Sequence, residues 1–66
     1  MHITINGKQR EFADSSNLKN IIEQFCKDTV HVIAEVNGQI IKSPKWSEQT
    51  ILPGDRVELI NFVGGG

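Results

Sequence analysis

One cysteine, Cys26, stands in a chain of 66 residues, so no internal disulfide can form. The two histidines, His2 and His31, are far apart and have no partners at metal-ligand spacing, which leaves no candidate metal site. Basic residues never run together or interleave with aromatics. Seven lysines and arginines face eight acidic residues, for a net charge of −1. Nucleic acid is therefore not an expected partner. No apolar stretch approaches the roughly 20 residues of a membrane span, and the chain opens on a strand pattern with no signal or transit segment. A cytoplasmic protein is the expectation. Neither phosphate-binding signature, GxxxxGK(S/T) or GxGxxG, occurs, and no Ser-His or Cys-His arrangement has a third group to complete it. No catalytic residue can be named.

What is present fits one small domain. At this length a fold buries only about 60% of its unfolded surface. With 38% hydrophobic residues and no staple, nearly the whole core must serve folding. Little remains for a deep pocket, which points to a binding or carrier module and not to an enzyme.

Along the chain, "HITIN" alternates as a half-buried strand with Ile3 and Ile5 on one face. Asn6-Gly7 is a hairpin signal, because both positions of the tight turn need positive φ. "KQREFA" returns as a polar edge strand anchored by Phe12. Asn17 is a suitable N-cap. Apolar residues at 18, 21, 22, 25 and 26 predict an amphipathic helix over residues 18–27, with Asp14 before it and Lys27 at its end suiting the macrodipole. Cys26 reads as a small core residue on that face. "VHVIAEVN" predicts a buried strand with Val30, Val32, Ala34 and Val36 on one face, and Ile33 on the other. Asn37-Gly38 predicts a second hairpin into "QII". "KSPKWSEQ" is a loop or single helical turn, because Pro44 lacks a donor, and Trp46 is a lid over one end of the core.

The last segment, "ILPGDRVELINFVGGG", carries most of the information. Pro53-Gly54 predicts a tight turn, and a strand follows over residues 55–63. If Val57 and Leu59 pack on the helix, Ile60 and Phe62 point away from it. Two large apolar side chains on an open sheet face are either covered locally by a loop or a register-shifting bulge, or form a candidate docking patch, with Ile41 or Leu52 as extensions. The lone helix must cover one face of the sheet. It also serves as a crossover that allows parallel pairing of the first and last strands. The fold class is α+β: a mixed four- to five-stranded sheet packed on one helix. Residues 1–63 form the domain, and residues 64–66 are a flexible glycine tail.

This layout, with "ITINGK", "NLKNIIEQF", "AEVNGQII" and "LPGDRVELINFVGGG", resembles the ubiquitin-like β-grasp superfamily across the whole chain. Within it, the sequence is similar to the ThiS-type sulfur carriers of thiamine biosynthesis. The Gly-Asp-x-Val-x-Leu strand running into terminal glycines is the most specific part. The resemblance implies that Gly66 is the modified residue, adenylated and converted to a thiocarboxylate. Gly64 and Gly65 thread into a partner, while Ile60 and Phe62 dock on it.

Chemistry makes the implied cycle coherent. A carboxylate is a poor electrophile until its oxygen becomes a leaving group, as in an acyl-adenylate. That step needs ATP and Mg²⁺, for which this chain has no machinery, so the chain is the substrate and binds no cofactor itself. Three extended residues reach roughly 10 Å, and glycine lets a narrow channel close around them. The implied partners are a ubiquitin-activating-type adenylyltransferase, a cysteine desulfurase or other persulfide donor, and a thiazole synthase that accepts the sulfur. Alternatives are delivery of sulfur to molybdopterin or tRNA, or a non-covalent β-grasp adaptor.

Overall fold

The computed structural model describes residues 1–61. Phe62, Gly64, Gly65 and Gly66, on which much of the site reading falls, lie outside the described residues.

Five strands and two helical segments alternate along the chain: β1 (His2–Ile5), β2 (Lys8–Glu11), α1 (Leu18–Phe25), β3 (Val32–Val36), β4 (Gln39–Ile41), a 3₁₀ segment (Ser43–Glu48) and β5 (Arg56–Asn61). The sheet order is β2-β1-β5-β3-β4. β1 and β5 run parallel, with Ile5 opposite Val57, and every other pairing is antiparallel. The expected crossover is thus present, and the last strand lies at the centre of a mixed sheet.

Both Asn-Gly steps adopt the predicted geometry. Asn6 and Gly7 have φ of 50° and 83°, and Asn37 and Gly38 have φ of 52° and 87°. Positive φ at both positions gives turns whose twist matches the flanking strands. Pro53-Gly54 forms the third tight turn, closed by the Asp55 amide donating to the Leu52 carbonyl at 3.0 Å. Gly54 supplies its positive φ of 86°.

Asn17 caps α1. Its side chain accepts from the Asn20 amide at 2.8 Å, and the Asn20 side chain accepts from the Asn17 amide at 3.3 Å. This reciprocal pair satisfies two otherwise orphaned donors. The helix is shorter than its apolar spacing implies. Cys26 turns extended (φ −128°, ψ 124°), although its amide still donates to the Ile22 carbonyl at 2.8 Å. Lys27 therefore lies past the helix, and no basic residue occupies the last turn. Cys26 is buried as expected, whereas Phe25 is 41% exposed. The Phe25 ring instead leans on Phe12, with centroids 5.9 Å apart, beneath the Arg10 guanidinium at 5.1 Å. That stack shields the rim of the core.

Val30 also departs from its expected place. β3 begins only at Val32, so Val30 sits in the preceding loop and is 81% exposed. The loop is held by Asp28, whose carboxylate accepts from the Val30 amide at 3.0 Å and lies 3.0 Å from His31 Nδ1. His31 precedes the strand and is not part of it. The strand predicted over residues 55–63 begins at Arg56. Asp55 instead locks the turn, accepting from the Leu52 amide and from Asn37 Nδ2 at 2.8 and 3.0 Å.

The core lies between α1 and one sheet face. Ile3, Leu18, Ile21, Ile22, Ile51 and Val57 are almost wholly buried. Trp46, from the 3₁₀ segment, closes one end. It is buried, and its indole N–H donates to the Ile41 carbonyl at 2.8 Å. Pro44 starts that segment, where its missing N–H costs nothing. Among the described residues no helix is long and apolar enough to cross a membrane.

Two stability predictions follow from this packing. Ile21→Ala should cost about 2–5 kcal/mol, comparable with the whole stability of so small a core, about 3–5 kcal/mol. Urea titration should therefore find the variant largely unfolded without denaturant. Separately, hydrogen bonding to His31, then to the Val30 amide, holds the Asp28 carboxyl below its ordinary range. A carboxyl with a lowered folded pKa stabilises the fold above its unfolded pKa, and the contribution disappears as pH falls through the folded value. Asp28→Asn should therefore flatten the acid limb of the stability–pH curve and leave the limb above neutral pH parallel to that of the parent, read by thermal melts from pH 2 to 8.

Candidate functional site

Strand parity decides what the uncovered sheet face presents. In β3, Val32, Ala34 and Val36 are buried toward α1, which turns Ile33 and Glu35 outward. In β5, Val57 and Leu59 are buried, which turns Arg56, Glu58 and Ile60 outward. Register then places Ile33 directly opposite Ile60, and Glu35 directly opposite Glu58. On the other side of β3, Ile40 lies opposite Glu35. The open face therefore carries three isoleucines around a glutamate pair. Ile33, Ile40 and Ile60 are 38%, 61% and 50% exposed.

β5 is tied down from both hairpins by side chains that imitate backbone. The parallel ladder ends with the Asn6 amide donating to the Val57 carbonyl at 3.0 Å, where β1 turns away. The Asn6 side chain supplies the next rung: its Oδ1 accepts from the Leu59 amide at 2.8 Å, and its Nδ2 donates to the Leu59 carbonyl at 3.2 Å. At the other end of β5, Asn37 Oδ1 accepts from the Arg56 amide at 2.9 Å, and the Asn37 amide donates to the Arg56 carbonyl at 2.7 Å. Each asparagine thus makes a turn and anchors one end of the central strand. Ile60 follows immediately after the rung formed by Asn6.

The structure places the residues named from sequence as follows. Ile60 is exposed on the open face, while Phe62 falls outside the described residues. Leu52 is 59% exposed but belongs to the turn before β5, at the opposite end from Ile60. Ile41, opposite Ala34, faces the helix side and packs against the core. Neither extends the patch. Ile33 and Ile40 do, and sequence reading did not name them. The signal was available: Asn37-Gly38 fixes Val36 opposite Gln39, so Ile40 must share a face with Glu35, and Ile33 lies two residues before Glu35.

A shallow groove of about 640 Å³ runs beside β4 and the 3₁₀ segment. Its charged side chains are Lys19 and Lys42, and no carboxylate, histidine or cysteine lines it. Thr29, Ser43 and Ser47 add hydroxyls to its lining. Among the described residues no three of His, Cys, Asp and Glu gather in a metal-holding group.

Comparison with known proteins supplies further findings. The model of the ThiS family matches residues 3–66. The crystal structure of a thiamine biosynthesis protein (ThiS) from Geobacter metallireducens superposes with a TM-score of 0.86 at 30% identity, covering 100% of both chains. The sulfur carrier protein ThiS of Bacillus subtilis is 28% identical over 65 residues, 97% of this chain and 98% of that protein. A thiazole synthase of Paramagnetospirillum magneticum is 29% identical over 66 residues; this chain spans only 20% of that protein's length.

The double role of Asn6 is testable. Asn6→Asp keeps the turn geometry and the acceptor but loses the donor to the Leu59 carbonyl. It should cost about 1–2 kcal/mol, a drop of roughly 4–8 °C in Tm per kcal/mol for a domain of this size. A variant that melts with the parent would show that the side-chain rung is dispensable.

Proposed function

The chain belongs to the ThiS family, and from that premise we propose that it is a sulfur carrier of thiamine biosynthesis whose Gly66 carboxylate is the working group. The observation that carries the reading is the family match over residues 3–66, which runs from the first strand to the last glycine. The protein is a substrate of its partners and not a catalyst. The thiazole ring is favoured as the destination of the sulfur because relatives over the full chain bear the names of thiamine carriers and of a thiazole synthase.

The chemistry proceeds in balanced steps. A partner of the ubiquitin-activating type brings ATP and Mg²⁺. A Gly66 carboxylate oxygen attacks the α-phosphorus, pyrophosphate leaves, and an acyl-adenylate forms. The terminal sulfur of a persulfide, loaded by a cysteine desulfurase or similar donor, then attacks the acyl carbon and expels AMP. A thiol then attacks the donor's own sulfur in the resulting acyl disulfide, forms a disulfide with the donor, and releases the thiocarboxylate on Gly66. On a thiazole synthase the thiocarboxylate sulfur bonds to the acceptor substrate, the acyl C–S bond breaks, and an oxygen from that substrate or from water takes its place, restoring the carboxylate.

The folded body contributes position. Gly64 and Gly65 lack a Cβ, so a channel too narrow for other residues can close around them. Ordering such a segment on binding costs entropy, which the contact made by the body must offset. Ile60, with Phe62 two residues beyond it, is our assignment for that contact.

Incubating the chain with the adenylyltransferase, ATP, Mg²⁺, a persulfide donor and a thiol should add about 16 Da, oxygen replaced by sulfur. Deletion of Gly66 should abolish the gain while the melting curve stays unchanged. A full-length chain whose mass never shifts under these conditions would refute the mechanism.

A further inference from the structure

Glu35 and Glu58 stand directly opposite each other on the open face, both half-buried. Like charges at that spacing destabilise a sheet. Among the described residues neither glutamate side chain forms an ion pair or hydrogen bond, and Arg56, on the same face two residues before Glu58, pairs with neither. Apolar neighbours sharpen the cost. Ile33 and Ile60 occupy the adjacent rung, and Ile40 lies beside Glu35. A partner surface that covers the isoleucines also removes water from the carboxylates. Two carboxylates dehydrated together need a proton or a cation between them.

We infer that the Glu35–Glu58 pair is the specificity element of the docking face, and that it receives a basic side chain, best an arginine, projecting from an apolar patch on the adenylating partner. A planar guanidinium can span two carboxylates with its fork of donors, and it loses less hydration than an ammonium group. The choice of occupant rests on the proposed role of Gly66. Gly66 lies five residues past Asn61, a span of at most about 18 Å if fully extended. The protein whose nucleotide site takes the carboxylate must therefore press against the body near the end of β5, where Ile60 and Glu58 face outward. The isoleucines supply contact area, and the glutamates select a partner carrying the complementary charge and speed its approach.

The test is association kinetics of the full chain with its host's adenylyltransferase across a salt series, for three proteins. The first is the parent. The second is E35Q/E58Q, which removes both charges isosterically. The third is E23Q/E48Q, which removes the same net charge from the helix and the 3₁₀ segment, away from the open face. E35Q/E58Q should melt at or above the parent temperature, because a repulsion has been removed. Its association rate at low salt should fall about tenfold, with a flatter salt dependence. E23Q/E48Q should bind like the parent to within about twofold. Unchanged kinetics for E35Q/E58Q, or an equal loss in E23Q/E48Q, would overturn the inference. Adenylation of the parent is followed in the same samples. A parent that binds but is not adenylated breaks the functional reading alone. A parent that is adenylated while E35Q/E58Q keeps its binding rate breaks the docking inference alone.

Discussion

The central position of β5 is the constraint from which the rest of this structure follows. A strand placed last in the sequence and in the middle of the sheet must find a parallel neighbour in β1 and an antiparallel neighbour in β3. Parallel pairing across most of the chain requires a crossover, and among the described elements α1 provides it while covering the apolar face. The ladder with β1 is short, because β1 turns at Asn6. The side-chain amide of Asn6 carries the pairing one rung further, to Leu59, and Asn37 performs the corresponding service at Arg56. The chain entering the glycines therefore leaves from a strand fastened on both flanks.

That arrangement separates two jobs that a small domain can rarely combine. One face of β5 gives Val57 and Leu59 to the core, so the fold depends on it. The other gives Glu58 and Ile60 to the surface. A body of this size has little core to spare for a deep pocket, and its groove beside β4 is lined by no carboxylate, histidine or cysteine. Presentation of a chemically simple terminus is a task within its means. In the proposed division of labour, the sulfur chemistry falls to partners and recognition to the open face.

Much of this was legible in the sequence because the signals are local. Two Asn-Gly steps, Pro53-Gly54 and Asn17 each act within a few residues, and each does what its backbone chemistry predicts. Parity within a strand is equally local, which is why Ile60 could be assigned to the open face from the alternation around it. What escaped depends on where strands begin and end. Val30 continues the apolar alternation but precedes β3, because Asp28 ties the loop first. Phe25 and Lys27 follow the helical period, yet the chain leaves the helix at Cys26. The apolar patch was only half seen, since Ile33 and Ile40 join Ile60 through cross-strand register, which no single segment encodes. Nor does a sequence motif report that Asn6 and Asn37 reach across to β5 with their side chains. The terminal glycines lie outside the described residues, and their role is proposed from their chemistry and from the family match.

The claim at the centre of this account is that Gly66 carries sulfur and the body exists to present it. Top-down mass spectrometry of the protein purified from its own host under conditions of active thiamine synthesis tests this most directly. The account predicts a subpopulation whose fragment ions place a single oxygen-to-sulfur exchange on Gly66 and nowhere else. A sulfur localised to Cys26 or any other residue, or a mature chain that retains residues beyond Gly66, would contradict it.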